Sequence, residues 1–430
     1  MVGMHNSVIS RLREKQPQLY TLHCPCHVSA LISSYACHKI PAVVEQLVRD
    51  VFTHFSSSPK RQFLYSDFQK FTECKPHKLL RPSQTRWLSL QQVVDRTIEQ
   101  YPALLSYFRS CEEQLVSVQR IVSQLENITT KAYLLFLSEA LQVINVFNLI
   151  MQRENSSIHI LYREMVILYK KILMAFLKPN CVSTICSGTL DDLKKCIEKQ
   201  SSTFLSFEEV DIGLTTEAYL EERIKLGEIS KRGAKQVRET CTSFWVEAAI
   251  QARQRLPLDN RPIQCLEWLF PNSKSNYLEV IEFAKFFPGI IPQSQLPQLK
   301  REFTEYQCAP IDYKEAEITF YWHKVSLEKN PAGNPRFPLL TMLAKAILTI
   351  NHSNVDSERL FSQYGLSKTK HRNRLGIPVM NALLTIKVNV HTKCYEFVPS
   401  QELLKKCANP IHSLKAICQI PIEEEPEPET

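Results

Sequence analysis

Ser353-Asn354-Val355-Asp356-Ser357-Glu358-Arg359-Leu360-Phe361-Ser362, followed by Gly365 and the basic run Lys368-Thr369-Lys370-His371-Arg372-Asn373-Arg374-Leu375, is the stretch on which the reading of this chain turns. Ser353 or Asn354 can cap a short helix that carries Glu358 and Arg359 on its first turns and Leu360 and Phe361 on its buried side, with Gly365 as its end. Beyond the glycine, five cationic or potentially cationic side chains fall within seven residues. Pro378 then sits in the first turn of a second helix running to Val388.

Outside this stretch, composition sets broad limits. The 430 residues allow two or three ordinary domains or one core split by a long insertion, and the second arrangement is expected. With 44% hydrophobic residues a sizeable core can be buried, and 9 glycines against 24 prolines favour helices with proline-punctuated connections over hairpins. Fourteen cysteines lie scattered without a short-spaced framework, and the amino end has no apolar leader, which reads as reduced thiols in an intracellular protein. Ala132 to Met151 is the most apolar stretch, but Ser138, Gln142, Asn145 and Gln152, with Glu139 beside them, form a polar stripe at helical spacing. That pattern predicts a bundle helix and no membrane span. Net charge is +8 even though Glu423, Glu424, Glu425, Glu427 and Glu429 crowd the tail, so the body is basic enough for a polyanion partner, as many ordinary surfaces also are.

Taken in order, residues 6–16 show helical periodicity and Leu19 to Cys24 is β-favouring, predicting a brief strand. The cluster Cys24-Pro25-Cys26-His27, with Cys37, His38, Cys74 and His77, raises a zinc site, against which stand the lack of paired ligand spacings and a junction with buried thiols as the plainer reading; no metal is expected. Ser56 to Arg81 is loop-rich. Periodicity then predicts helices over 93–108, 112–125, 131–151 and 158–177, a looser connection over 180–213, and helices over 215–229 and 234–255. Arg232, Lys235, Arg238, Arg253 and Arg255 on the last of these could track phosphates or form a solvated face. Further helices are expected near 298–307, 313–328 and 339–350, the last with Leu340, Leu343, Ala344 and Ile347 as its packing stripe, and the acidic end should be disordered.

The order Ser-Glu-Arg, apolar pair, Ser, Gly, basic run and final apolar helix resembles the C-terminal region of hAT-family transposases. Two upstream stretches are similar to further landmarks of that family: the Cys-x-x-His of Cys24 and His27, and the Thr85-Arg86-Trp87-Leu88-Ser89 segment. The resemblance implies a predominantly α (α+β) chain in which a truncated ribonuclease-H-like core is interrupted by a long all-helical insertion. On that reading residues 1–89 are the core remnant, 90–334 the insertion and return segment, 335–395 the dimerisation region, and 396–430 a tail. It also implies that relatives carry an upstream BED-like zinc finger, that Glu358 stands at the last acid of an Asp-Asp-Glu triad, and that Trp87, beside Arg86, can stack on a DNA base; Trp87 as an anchor of the insertion's first helix is the competing reading.

Two-metal phosphoryl transfer needs several carboxylates holding ions about 3.5–4 Å apart, and neither companion of Glu358 can be placed in this sequence. The expectation is therefore a non-catalytic, domesticated transposase-derived protein with a vestigial Glu358 and no cofactor; a fragment or isoform of a DNA-cleaving, strand-transferring transposase is the alternative. Self-association is expected through Leu360, Phe361, Val379, Leu383, Leu384 and Ile386, with the 339–350 helix adding apolar surface to the same interface. DNA is a second expected partner, through Arg86, Trp87, Lys368, Lys370, Arg372 and Arg374, and the corresponding location is the nucleus, or otherwise the cytoplasm.

Overall fold

A computed structural model describes residues 7–17, 19–82, 87–111, 115–154, 157–271, 273–309, 311, 317–390 and 395–408, with backbone alone for 87–90 and 406–408. The structure is mainly α, and among the described residues the only β pairing is two isolated bridges, Leu177 with Phe204 and Lys329 with Pro335. No sheet of a ribonuclease-H-like core is seen among them. The chain divides into two compact units, one up to Val355 and one from Asp356. The acidic end expected to be disordered lies outside the described residues.

Two long helices, Ile128–Met151 and Lys231–Arg255, form the spine of the first unit. The Pro25–Cys37 helix packs along both, and Trp87–Glu99 packs against the first. Ser29, Ile32, Ser33 and Ala36 of the 25–37 helix are fully buried, as are Ala248, Ala249 and Ala252 of 231–255. Small side chains at these spacings let two helix backbones approach closely.

The 128–151 helix shows how its polar stripe is used. Asn145 Nδ2 donates to Gln91 Oε1 at 2.7 Å, and Ser138 donates to the Asp95 carboxylate one turn along the same partner helix. Burial pushes the Asp95 carboxyl up, against the lowering effect of hydrogen bonds from Ser138 and Gln91. Asn148, fully buried, donates to Ser29 Oγ at 2.8 Å and to the Cys26 carbonyl at 3.1 Å. By length and composition this helix could cross a membrane, yet Leu134, Phe136, Leu137, Leu141, Ile144 and Phe147 are buried in the bundle.

Several elements depart from the sequence expectation. Leu19 to Cys24 is extended but pairs with no strand; Tyr20 instead sets its ring edge-on to Phe287 at 5.6 Å and donates its hydroxyl to Asn260 at 2.7 Å. The single helix expected over 93–108 breaks at Gln100 into Trp87–Glu99 and Tyr101–Arg109. The break is occupied by a polar network, since buried Gln100 accepts from Gln69 at 2.6 Å and from Tyr65 at 3.1 Å and donates to the Lys75 carbonyl at 2.9 Å. The stretch expected to be loose holds Pro179–Ser187, Leu190–Glu198 and Gln200–Thr203, the second opened by a reciprocal Thr189–Asp192 capping box.

The end of the first unit is an aromatic cluster closed by a buried carboxylate. Tyr306 stacks on Trp322 with ring centroids 5.4 Å apart, and Trp322 donates to the Leu269 carbonyl at 3.0 Å. Glu302, on the Leu296–Cys308 helix, accepts the backbone N–H groups of Leu339 and Leu340 at 2.8 and 3.0 Å, capping the Pro338–Leu348 helix from outside it. Leu340, Leu343, Ala344 and Ile347 are fully buried as expected of a packing stripe. This helix is therefore part of the first unit's own core and offers no stripe to a partner, which corrects the expectation that it shares an intermolecular surface.

A second remote cap yields a test. Glu139 accepts the N–H groups of Leu214 and Thr215 at 3.1 and 3.0 Å, and the preceding Gly213 has φ +82°. A Cβ on Gly213 would lie 2.6 to 2.9 Å from that carboxylate, so Gly213→Ala strains the backbone and displaces the cap together. The expected loss is about 1–3 kcal/mol in urea unfolding, smaller when added to Glu139→Gln because the displaced group is already altered. A variant as stable as the parent would refute this account.

Candidate self-association surface

The second unit is short helices with little of their own to bury. Val355–Ser367 starts with Asp356 and Glu358 in its first turn, suited to the positive end of the helix dipole, and Ile377–Asn389 starts with Pro378. Lys370 to Arg372 form a tight turn between them, and Gln401–Ala408 follows. Gly365 does not end the first of these helices, which runs on to Ser367; with no neighbour within 4 Å of a Cβ built there, nothing in the packing demands a glycine at 365.

The two longer helices are tied by Lys387, whose ammonium donates to Gln363 at 3.3 Å and to Ser367 at 3.4 Å. Met380 and Ser367 are their buried residues, and Leu383 and Leu384 are half-buried. Ile377–Asn389 carries Ile377, Val379, Met380, Leu383, Leu384, Ile386 and Val388 over more than half of its circumference, with Asn381, Thr385 and Asn389 on the remaining face. A face of that width belongs against a packing partner. Here Ile377 is 77% exposed and Ile386 57%, and across from them Phe361 is 71% exposed; Leu360 and Val379 are exposed as well. Thirteen-residue helices are marginal in water without packing, so exposed side chains of this size mark a surface that gains from being covered.

The other expected site residues fall as follows. Glu358 is exposed in its first turn, and its neighbour Arg359 pairs with Asp356 at 3.0 Å. Lys368, Lys370, Arg372 and Arg374 are all exposed, and the Lys368 ammonium lies 5.8 Å from the Tyr364 ring centre. Arg86 and the Trp87 side chain lie outside the described residues. In the first unit, cations of the 231–255 helix have structural partners: Arg238 pairs with Glu217, and Arg253 with Asp259 at 2.8 Å and with the Gly188 carbonyl. Arg255 donates to Gln251 at 2.8 Å, Lys235 lies 3.9 Å from Glu239, and Arg232 is exposed.

Cys24 precedes the Pro25–Cys37 helix and His27 is exposed on its first turn. Cys74 donates to the Glu99 carbonyl at 3.6 Å and His77 pairs with Glu99 at 2.8 Å. Among the described residues no group of three or more His, Cys, Asp or Glu is placed to share an ion.

Two contacts escaped sequence reasoning. The Asn354 N–H donates to Cys24 Sγ at 3.4 Å, joining two landmarks separated by 330 positions. Buried His352 accepts from the Ser157 N–H at 3.3 Å through Nδ1 and lies 3.1 Å from the Met151 carbonyl through Nε2, which fixes the Nε2–H tautomer. No periodicity or spacing signals pairings between positions so far apart.

Comparison with known families returns a match that starts upstream of these helices. Residues 298–390 fit the model of the hAT family C-terminal dimerisation region, spanning the Glu302 cap, the aromatic cluster, the Ser-Glu-Arg helix and the apolar 377–389 helix. That match, over residues 298–390, supports a hAT-family transposase-derived protein.

Proposed function

We propose that this protein acts by pairing with a second copy of itself through the helices 355–367 and 377–389, in a non-catalytic, domesticated role. The observation that carries the reading is the broad apolar face of the 377–389 helix, left largely uncovered within its own unit. Leu360, Phe361, Val379 and Ile386 are the outer contacts of the pairing, and half-buried Leu383 and Leu384 form its base. At about 25 cal/mol per Å² of apolar surface, covering a few such side chains on each copy contributes several kcal/mol, and a two-fold arrangement counts each contact twice. Ribonuclease-H-like descent of the chain is supported by the Cys24–His27 and Arg86–Trp87 landmarks of the sequence and by Glu358 in the second unit.

The absence of catalysis rests on chemistry. Glu358 stands without sequence-identifiable companions, and one carboxylate does not hold two divalent ions in reacting geometry. The purified chain is expected to leave supercoiled DNA intact in Mg²⁺ or Mn²⁺. Nicking that Glu358→Gln abolishes would overturn this and favour the alternative, a piece of a DNA-cleaving, strand-transferring transposase.

Light scattering on the full chain tests the pairing. The parent should elute as a dimer at micromolar concentration, and Phe361→Asp with Ile386→Asp, both exposed positions, should give a monomer with unchanged helix content. A monomeric parent refutes the proposal.

DNA contact and a nuclear location are the second part of the reading, supported by Lys368, Lys370, Arg372 and Arg374, all exposed within seven residues. Each phosphate neutralised adds about 0.9 to the slope of log affinity against log salt. Alanine at all four positions should therefore flatten that slope by about three to four, across DNA sequences alike. An unchanged slope removes this run from the interface.

A further inference from the structure

A partly exposed sulfur at the start of the Pro25–Cys37 helix is met by a backbone donor from far along the chain. Cys24 is partly exposed and extended, so its side chain turns over the helix's first turn. Its Sγ accepts the Asn354 N–H at 3.4 Å, and the polar groups of the helix's first turn, the Cys26 thiol and the N–H groups of Cys26 and His27, favour its charged form. The Cys26 thiol is placed as well to reach the Asn148 carbonyl, 3.9 Å away. A neutral thiol sulfur is a weak acceptor, so a cradle of this kind suits a thiolate. Hydrogen-bond donors from its own first turn and from Asn354 are what favour the charged form. The Cys26 thiol contributes most; burial opposes it, the backbone donors add to it, and the Cys24 thiol falls to about 5. Burial without such donors pushes the Cys37 and Cys241 thiols far above the usual range.

We propose that Cys24 and Cys26 form a hydroperoxide-sensitive thiol pair, with Cys24 as the attacking sulfur and Cys26 as the resolving one. The Cys24 thiolate attacks the terminal oxygen of a hydroperoxide; an S–O bond forms, the O–O bond breaks, and the departing alkoxide or hydroxide takes up a proton. Cys24 is thereby oxidised to a sulfenic acid and the peroxide reduced to an alcohol or water. The Cys26 sulfur then attacks Cys24 sulfur, the S–O bond breaks, and water leaves with the thiol proton, giving a Cys24–Cys26 disulfide. In that state Cys24 no longer offers a thiolate to the Asn354 N–H, so oxidation loosens the hold on the last residues of the first unit.

The test uses the full native chain. A thiolate near pKa 5 is almost fully ionised at pH 6, where an ordinary thiol is ionised to about 0.3%, but it is intrinsically less nucleophilic by a Brønsted slope of about 0.4–0.5. Limiting iodoacetamide at pH 6 should therefore label Cys24 about tenfold faster than added N-acetylcysteine, and the advantage should reverse above about pH 7. Exposed Cys308 is the control for accessibility, and buried Cys37, on the same tryptic peptide, the control within the fragment. One equivalent of hydrogen peroxide should then give the Cys24–Cys26 disulfide by peptide mapping, and Cys26→Ser should leave a Cys24 sulfenic acid that dimedone traps. The proposal fails if Cys24 labels no faster than N-acetylcysteine at pH 6, if peroxide oxidises Cys308 first, or if dimedone finds nothing at Cys24 in the Cys26→Ser protein. The labelling arm needs no variant, so a misfolded substitution cannot mask its result.

Discussion

A fully buried amide sets the geometry of the first unit. Asn148 sits within an otherwise apolar turn of the 128–151 helix, where water cannot solvate it, and an unpaired amide there would cost on the order of 1–3 kcal/mol. Its bonds to Ser29 Oγ and to the Cys26 carbonyl fix both the register and the rotation of the 25–37 helix. With that helix set, its small-residue face can meet Ala248, Ala249 and Ala252, and its first turn presents Cys24 to Asn354. Apolar packing alone would tolerate a slip by one turn; a buried donor with two fixed acceptors does not.

The two units solve opposite problems. The first hides Trp268, Trp322, Phe303 and Phe337 completely and gives its remote helix ends carboxylate caps. The second leaves Phe361, Leu366 and Ile377 each more than 60% exposed on helices too short to stand on propensity. Exposed surface of that kind is costly to keep in a monomer, and a match to a dimerisation region over the same residues gives it a use.

Long elements with a clear 3.6-residue period were legible from sequence alone: 128–151, 231–255 and 338–348 lie within a few residues of the expected bounds. The polar stripe on 128–151 correctly indicated a bundle helix, though nothing in the sequence said that Asp95 and Gln91 would meet it. Leu19 to Cys24 misled because β-favouring side chains fit any extended, half-buried segment, and here Tyr20 is held by Phe287 and Asn260 instead of a neighbouring strand. The break at Gln100 was hidden because a helix end stabilised by side chains from another helix leaves the apolar period almost undisturbed. The exposed apolar side chains of the second unit stood out by their apolar character; that the 338–348 stripe turns inward depends on Glu302 and the aromatic cluster, which no local pattern reports.

Residues 298–390 are one stretch by family likeness but two pieces by physics, because the boundary between units falls at Val355. Glu302 makes the first piece indivisible from the core: its buried side chain is satisfied by the amides of Leu339 and Leu340 together with Gln298, and those amides need it in turn. The 296–308 and 338–348 helices must therefore become ordered together during folding. Extra residues in the exposed 331–335 turn can loop outward at small entropic cost, whereas an excised 298–390 cassette would carry its interior acid, and several large aromatic rings, into solvent with no core to receive them.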